Sequence, residues 1–142
     1  MRTKVIALDI YGTVLSSDDP ENSMPPRKGF KEFVQTCQNL ILPIATVSDA
    51  YLPNLGIDLE ESLKKINLTL GVFNKFYHLP TTPKNFSEII LDYRISPQEL
   101  LVIGNNPYKD IEGARLSEAR YFQVPEYIDI RDEFDFSEIE IL

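Results

Sequence analysis

The stretch KVIALDIYGT, residues 4–13, places an apolar run directly before a carboxylate, Asp9, and a glycine follows three residues later. Short, continuous apolar runs are typical of strands that are covered on both faces in a parallel sheet. Asp9 is therefore expected at the carboxyl end of the first strand. In open parallel α/β sheets, ligands bind beyond these ends of the strands. The stretch thus indicates a fold class and places a charged group where such folds carry their sites.

The rest of the chain continues the alternation of apolar runs and helix-patterned segments. The predicted strands are residues 4–8, 40–47, 72–77, 100–103 and 121–124. The predicted helices are residues 28–38, 59–66, 83–93 and 107–118. This alternation predicts an α/β fold with a doubly wound, Rossmann-like parallel sheet of five strands in three layers. Residues 1–125 are expected to form this domain. The acidic tail, residues 126–142, is expected to pack on the same domain or to extend from it.

Composition excludes several classes of function. The chain has 142 residues and a net charge of −8, and no long Lys/Arg cluster marks a nucleic-acid surface. No apolar run reaches the roughly 18 residues that a membrane span needs. A single cysteine, Cys37, excludes an internal disulfide. The N-terminal apolar stretch is too short for a signal peptide, so we expect a cytoplasmic protein without nucleic-acid or membrane partners.

Polar side chains follow four of the predicted strands. They are Asp9 and Thr13 after the first strand, Ser48 after the second, Lys84 after the third, and Asn105, Asn106 and Asp110 after the fourth. Because parallel strands end at the same edge of a sheet, this ordered set is expected to converge on one crevice. Lys75 is a second candidate for the lysine of the crevice.

Four motifs in this set resemble those of the haloacid dehalogenase-like hydrolase superfamily. They are DIYGT (residues 9–13), Ser48, Lys84 and GNNPYKDIEGAR (residues 104–115). The resemblance implies a hydrolase of phosphatase type, in which Asp9 is the nucleophile and forms a covalent intermediate. It also implies that Thr13, Ser48 and Asn106 bind a small phosphorylated or other anionic substrate, while Lys84 neutralises charge. Mg²⁺ would be held by Asp9, the main-chain carbonyl of Tyr11, Asn105 and Asp110.

Two positions depart from the pattern of the family's phosphatases. Tyr11 stands where they carry an aspartate that acts as general acid and base, and Asn105 stands where they carry a metal-binding aspartate. Loss of general acid–base help typically lowers a rate by about 10²–10⁴. Tyr11 is then either a wall of the site or a catalytic acid or hydrogen-bond donor. We therefore expect weak Mg²⁺ binding and weak turnover, and the alternative is an inactive domain that binds a phosphorylated ligand or a protein partner.

The order Asp-x-Tyr-Gly-Thr also occurs in the family's 2-haloacid dehalogenases, which need a helical cap domain. The connections after the first two predicted strands are too short to hold a cap beside the helices of the sheet. We expect no cap and an open site, which a second copy of the chain could cover. A receiver domain would carry its acceptor aspartate after the third strand, where this chain has HLP, residues 78–80. A dinucleotide enzyme would show G-x-G-x-x-G after the first strand, where it is missing.

Overall fold

A computed structural model describes residues 2–142 of the chain as a central sheet with helices on both faces. The elements are β1 (Val5–Leu8), α1 (Phe30–Asn39), β2 (Ile44–Ser48), α2 (Leu52–Lys64), β3 (Lys75–His78), α3 (Ser87–Tyr93), β4 (Leu100–Gly104), α4 (Glu112–Leu116) and β5 (Arg120–Gln123). Short 3₁₀ turns lie at Leu70–Val72, Pro97–Glu99 and Phe136–Glu138, and a π-helical turn, Pro107–Ile111, precedes α4. All neighbouring strands are parallel, in the order β3-β2-β1-β4-β5.

The sheet separates two apolar layers. Ile6 and Leu8 of β1 pack with buried residues of α1 and α2, whereas Val5 and Ala7 pack with α3 and α4. All four side chains are almost fully buried, as expected for a strand that is covered on both faces. The predicted three-layer α/β fold is confirmed, and residues 2–142 contain no cap domain in addition to it. Among the helices of these residues, none combines the length and the hydrophobicity needed to cross a membrane.

Several element boundaries differ from the sequence-based expectation. Helix α2 begins at Leu52 rather than at residue 59, because Pro53 is compatible with a first helical turn and Leu55 and Leu59 bury one face. The second strand begins at Ile44 rather than at residue 40, because Ile41 has a positive φ of 55° that an extended strand cannot contain. The expected helix over residues 107–118 is divided into the π-helical turn and the short α4.

The C-terminal segment packs against α1. Phe136 is fully buried, and its ring meets those of Phe30 and Phe33 edge-on, at centroid distances of 5.5 and 4.9 Å. Ile139 and Ile141 belong to the same apolar cluster. The Thr3 hydroxyl donates a hydrogen bond to the carbonyl of Ile141. Residues near the C-terminus therefore complete the core on the α1 side of the sheet.

Candidate active site

Asp9 lies directly after β1, at the start of a tight loop that we call the Asp9 loop, residues 9–17. Backbone hydrogen bonds from Val14 N to Ile10 O (2.8 Å) and from Gly12 N to Leu15 O (2.7 Å) close the loop. Gly12 has a φ of 82°, and a Cβ there would lie 2.9 Å from the side chain of Asn105. The positive φ favours glycine, since other residues avoid this backbone conformation, and the Asn105 side chain would have to shift to make room for a Cβ. The turn therefore aligns Asp9 and brings the loops after β1 and β4 into contact.

Lys84 joins the two carboxylates of the site. Its Nζ lies 2.9 Å from Asp9 Oδ1 and 2.6 Å from Asp110 Oδ1, and it also donates to the carbonyl of Val47 at 3.1 Å. Only 1% of the Lys84 and Asp110 side chains is exposed, against 11% for Asp9. Asp9 is thus the carboxylate of this group that a ligand reaches.

The backbone of Lys84 is held by the loop after β4 and by α4. Its N–H donates to the carbonyl of Lys109 at 2.9 Å. Gly113 of α4 approaches so closely that a Cβ there would lie 2.4 Å from the Lys84 carbonyl oxygen. Helix α3 begins only at Ser87, so Lys84 lies in the preceding irregular segment and not in the helix predicted from residue 83. These contacts explain how an irregular segment delivers a buried lysine to a defined position.

The electrostatics of the group follow from burial and from its two negative charges. Burial alone lowers the pKa of the Lys84 ammonium, but the carboxylates of Asp9 and Asp110 outweigh this and raise it above its ordinary value. Burial raises the pKa of Asp110 to about 6; the charge of Asp9 adds to this rise and Lys84 opposes it. Lys84 therefore stays protonated at neutral pH and balances part of the negative charge.

Thr13 orients Asp9 from the side opposite to Lys84. Its Oγ1 donates to Asp9 Oδ2 at 2.7 Å and lies 3.1 Å from Asn105 Oδ1. Thr13 is fully buried. Both oxygens of the Asp9 carboxylate thus have a hydrogen-bond donor, and its orientation is set by the fold before any ligand arrives.

A small polar cavity of about 150 Å³ opens onto this group. It is lined by Asp9, Tyr11, Ser48, Asp49, Lys84, Asn105, Asn106, Lys109 and Asp110. Six of the seven residues in the predicted crevice therefore line one cavity, and the seventh, Thr13, lies behind Asp9. The predicted convergence at the carboxyl ends of the strands is what the structure shows.

Two of the lining residues make local hydrogen bonds. Ser48 Oγ accepts from the N–H of Ala50 at 3.0 Å. Asn106 Oδ1 accepts from the N–H groups of Tyr108 and Lys109, each at 2.9 Å, and so caps the π-helical turn. Both side chains therefore shape the loops after β2 and β4 as well as lining the cavity.

An ion pair that the sequence did not predict lies at the rim of the cavity. Lys109 Nζ lies 2.5 Å from Asp49 Oδ2, and both side chains are more than one-third exposed. The hydrogen bond from Lys109 holds the pKa of Asp49 below its ordinary value. The available signal was position, since Asp49 directly follows Ser48 and Lys109 directly precedes Asp110.

Tyr11 has a partner that the sequence did not suggest. Its hydroxyl donates to Asp58 Oδ2 of α2 at 2.5 Å. Burial, followed by this hydrogen bond, raises the pKa of Tyr11 above its ordinary value. The phenol is thus a poor base at neutral pH, and its hydroxyl is already bound to a carboxylate outside the cavity lining. Asp58 lies 47 residues further along the chain, and no pattern in the sequence connects the two.

Lys75, the second candidate lysine, lies away from the cavity. It stands at the amino end of β3, and its Nζ lies 2.8 Å from Asp92 Oδ2. The cavity lies at the carboxyl ends of the strands. The geometry therefore selects Lys84 over Lys75 as the lysine beside Asp9.

The residues implied to hold Mg²⁺ form a poor donor set for a tightly bound ion. Lys84 already lies between Asp9 and Asp110, and the second oxygen of Asp110 accepts the N–H of Asn106 at 3.2 Å. Asn105 contributes an amide in place of a negative charge, and charge count is a main source of affinity for hard cations. Within residues 2–142, no three His, Cys, Asp or Glu side chains come together as a metal-binding group. The site does not suit a tightly held Mg²⁺.

Comparison with known proteins finds similarity of fold. No protein-family model matches the sequence, and no curated protein is significantly similar to it. An uncharacterized Listeria monocytogenes protein superposes with a TM-score of 0.62 at 17% identity, over 98% of this chain and 86% of its own. A second similar structure is the N-terminal part of a Bacteroides fragilis protein, which contains a phosphatase domain complexed with Mg. Its TM-score is 0.63 at 18% identity, and the match covers 89% of this chain and 37% of that one. The core domain of a proposed phosphoglycolate phosphatase from Streptococcus pneumoniae has a TM-score of 0.60 at 15% identity. This match covers 92% of this chain and 85% of that one. The chain thus has a fold that is also found in phosphatase domains.

Proposed function

We propose that the protein is a haloacid dehalogenase-like hydrolase of phosphatase type that acts through an aspartyl intermediate at Asp9. The observation that carries the proposal is the Asp9 carboxylate itself. One oxygen accepts from Thr13 at 2.7 Å, the other lies 2.9 Å from Lys84, and the group borders a polar cavity. A carboxylate that has a donor at each oxygen and also borders an open cavity is suited to nucleophilic attack. The four motifs and the fold shared with phosphatase domains support the same conclusion.

In the proposed reaction, a phosphoryl group enters the cavity and a carboxylate oxygen of Asp9 attacks its phosphorus. A bond forms between that oxygen and phosphorus, and the bond from phosphorus to the leaving oxygen breaks with its electron pair. Water then cleaves the aspartyl phosphate, which releases inorganic phosphate and restores the carboxylate. Lys84 stabilises the negative charge that gathers on the transferred group, since it is preorganised and protonated. Ser48 and Asn106 are among the residues that line the cavity which the phosphoryl group would enter.

Tyr11 and Asp110 are the two side chains of this site that proton transfer would involve. The Tyr11 hydroxyl donates a hydrogen bond to Asp58, and Asp110 is bound by Lys84 and almost fully buried. Neither is well placed to protonate a leaving group or to activate water. We therefore propose slow turnover, and an aryl phosphate is the suitable probe because its leaving group departs without a proton.

The test compares hydrolysis of p-nitrophenyl phosphate, with and without Mg²⁺, by the wild-type protein and by Asp9→Asn. Asp18→Asn is the matched control, since Asp18 is exposed and lies in the polar loop outside the cavity. We expect Asp9→Asn to abolish hydrolysis and Asp18→Asn to preserve it. Mass spectrometry of acid-quenched wild-type protein should locate a phosphoryl group on Asp9. Equal hydrolysis by Asp9→Asn and the wild-type protein would refute the role of Asp9.

A second candidate function is binding of a phosphorylated ligand without turnover. The hydrogen bond between Tyr11 and Asp58 favours this second function, because a phenol held by Asp58 does not take part in the proton transfers that turnover needs. Under this alternative, calorimetric titration with inorganic phosphate shows binding that Lys84→Met removes, while the aryl phosphate stays intact. Hydrolysis that depends on Asp9 would exclude it.

A further inference from the structure

The C-terminal strap, which we define as residues 126–139, is hydrogen-bonded along the Asp9 loop. Tyr127 N donates to the carbonyl of Gly12 at 2.7 Å, and Ser17 N donates to the carbonyl of Tyr127 at 2.8 Å. Ser17 Oγ donates to Glu126 at 2.6 Å, and Ser16 Oγ donates to the carbonyl of Ile128. A segment more than 100 residues away in sequence thus supplies hydrogen-bond partners to three residues of the Asp9 loop, which are Gly12, Ser16 and Ser17.

Arg27 connects the C-terminal strap to the Asp9 loop. Its side chain is fully buried, and its guanidinium donates twice to Asp132 of the strap, at 3.0 Å from Nε and 2.6 Å from Nη2. Its carbon Cζ lies 4.7 Å from the ring centre of Phe134 and 5.4 Å from that of Tyr127. The third nitrogen, Nη1, donates to the carbonyl of Thr13 at 3.3 Å. The planar guanidinium therefore holds two strap aromatics, a strap carboxylate and the Asp9 loop at once.

Thr13 is the residue through which this arrangement reaches Asp9. Its carbonyl accepts from Arg27, while its hydroxyl donates to Asp9 Oδ2 at 2.7 Å. A shift of the Thr13 backbone moves the hydroxyl that orients the carboxylate. In catalysis, a displacement of about 1 Å far from the reacting atoms can lower a rate by about 10².

We propose that Arg27 is a positioning residue and that the C-terminal strap, acting through Arg27 and Thr13, sets the orientation of the Asp9 carboxylate. The effect on turnover rests on the proposed function, but the effect on the Asp9 loop does not. A purely structural ion pair would instead stabilise all parts of the domain equally, because its loss would act through global unfolding.

The test uses Arg27→Lys, which keeps the positive charge but cannot form the same three-way set of hydrogen bonds. Arg131→Lys is the matched control, since Arg131 belongs to the same strap, is 83% exposed and pairs only locally with Asp129. Amide hydrogen exchange is measured in the full chain for the Asp9 loop and for β4. We expect Arg27→Lys to speed exchange in the Asp9 loop by about tenfold or more while exchange in β4 is unchanged. Asp132→Asn should act in the same direction, and Arg131→Lys should change neither segment.

The second readout is the steady-state hydrolysis of p-nitrophenyl phosphate. Arg27→Lys should lower kcat by about 10- to 100-fold with little change in KM, because a misoriented nucleophile weakens the transition state more than the binding of substrate. Equal acceleration of exchange in the Asp9 loop and β4, or no acceleration, would overturn the proposal. Faster exchange in the loop with an unchanged kcat would also overturn it. If the wild-type protein has no hydrolase activity, the proposed function fails, and the exchange data alone decide whether Arg27 holds the loop.

Discussion

Replacement of Lys84 by methionine tests the central ion cluster. Methionine keeps most of the apolar stem and removes the ammonium that lies 2.9 Å from Asp9 and 2.6 Å from Asp110. Because only 1% of the Lys84 and Asp110 side chains is exposed, solvent cannot replace the lost partner. Breaking a buried ion pair by removing one member typically costs about 3–5 kcal/mol. That is a large part of the about 5–15 kcal/mol by which domains are stable.

The loss of stability caused by Lys84→Met is expected to depend on pH. A carboxyl group whose pKa is higher in the folded than in the unfolded protein binds its proton more tightly when folded. Its contribution to the free energy of unfolding therefore falls as pH rises between the two pKa values and is constant above them. For Asp110 this interval runs from an ordinary value of about 3.9 to about 6. Without Lys84, which opposes the rise, the interval extends upward, so Lys84→Met should lose more stability at pH 8 than at pH 5.

The assay is urea unfolding followed by far-ultraviolet circular dichroism at both pH values. Lys75→Met is the matched control, since its half-exposed ammonium also lies 2.8 Å from a carboxylate and its loss should change stability little. A Lys84→Met loss no larger than that of Lys75→Met would refute the reasoning. A stability loss for Lys84→Met that grows toward acid pH would also refute the reasoning, because protonation should relieve the repulsion between the carboxylates of Asp9 and Asp110.

Four further variants test the proton chemistry, the C-terminal packing and two glycines, Gly29 directly before α1 and Gly56 within α2. Tyr11→Asp combined with Asn105→Asp should raise Mg²⁺-dependent hydrolysis of p-nitrophenyl phosphate, by about the 10²–10⁴ of a general acid–base group, and a folded but silent double variant would contradict this. Phe136→Ala should lower the free energy of urea unfolding by about 3–5 kcal/mol, because the ring is fully buried, and a loss within the error of measurement would show that the C-terminal segment adds little. Gly29→Ala should destabilise by more than the about 1–2 kcal/mol of its left-handed φ of 83°, because the new Cβ would also lie 2.1 Å from a strap carboxylate. Gly56→Ala, with open space around its Cβ in α2, should instead stabilise by about 1 kcal/mol in the same measurement.

The sheet and the position of the crevice could be predicted because both depend on local patterns. Five short apolar runs alternated with helical segments, and this alternation allows few topologies other than a doubly wound parallel sheet. Asp9 and Asp110 each follow a strand, and parallel strands end on one edge, so the meeting of these two carboxylates followed from the fold class alone. The same reasoning could not choose between Lys84 and Lys75, because the segment before α3 is irregular and its path depends on contacts with Lys109 and Gly113.

The remaining features depend on contacts between residues that are distant in the chain. The hydroxyl of Tyr11 has Asp58 as its partner, and Arg27 has Asp132; the members of each pair are 47 and 105 residues apart. Long-range pairs of this kind have no periodicity and no spacing that a single sequence reveals.

The sequence by itself determined the fold class, the carboxylate at the end of the first strand and the tyrosine at position 11. The tertiary structure decided which lysine meets Asp9, where the hydroxyl of Tyr11 lies, and that the C-terminal strap supports the Asp9 loop. The physical reason is that strand patterns and turn residues act over a few positions, whereas a buried ion pair forms only where two separate segments pack against one another. For Arg27, that packing requires the strap to lie against the loop that carries Asp9.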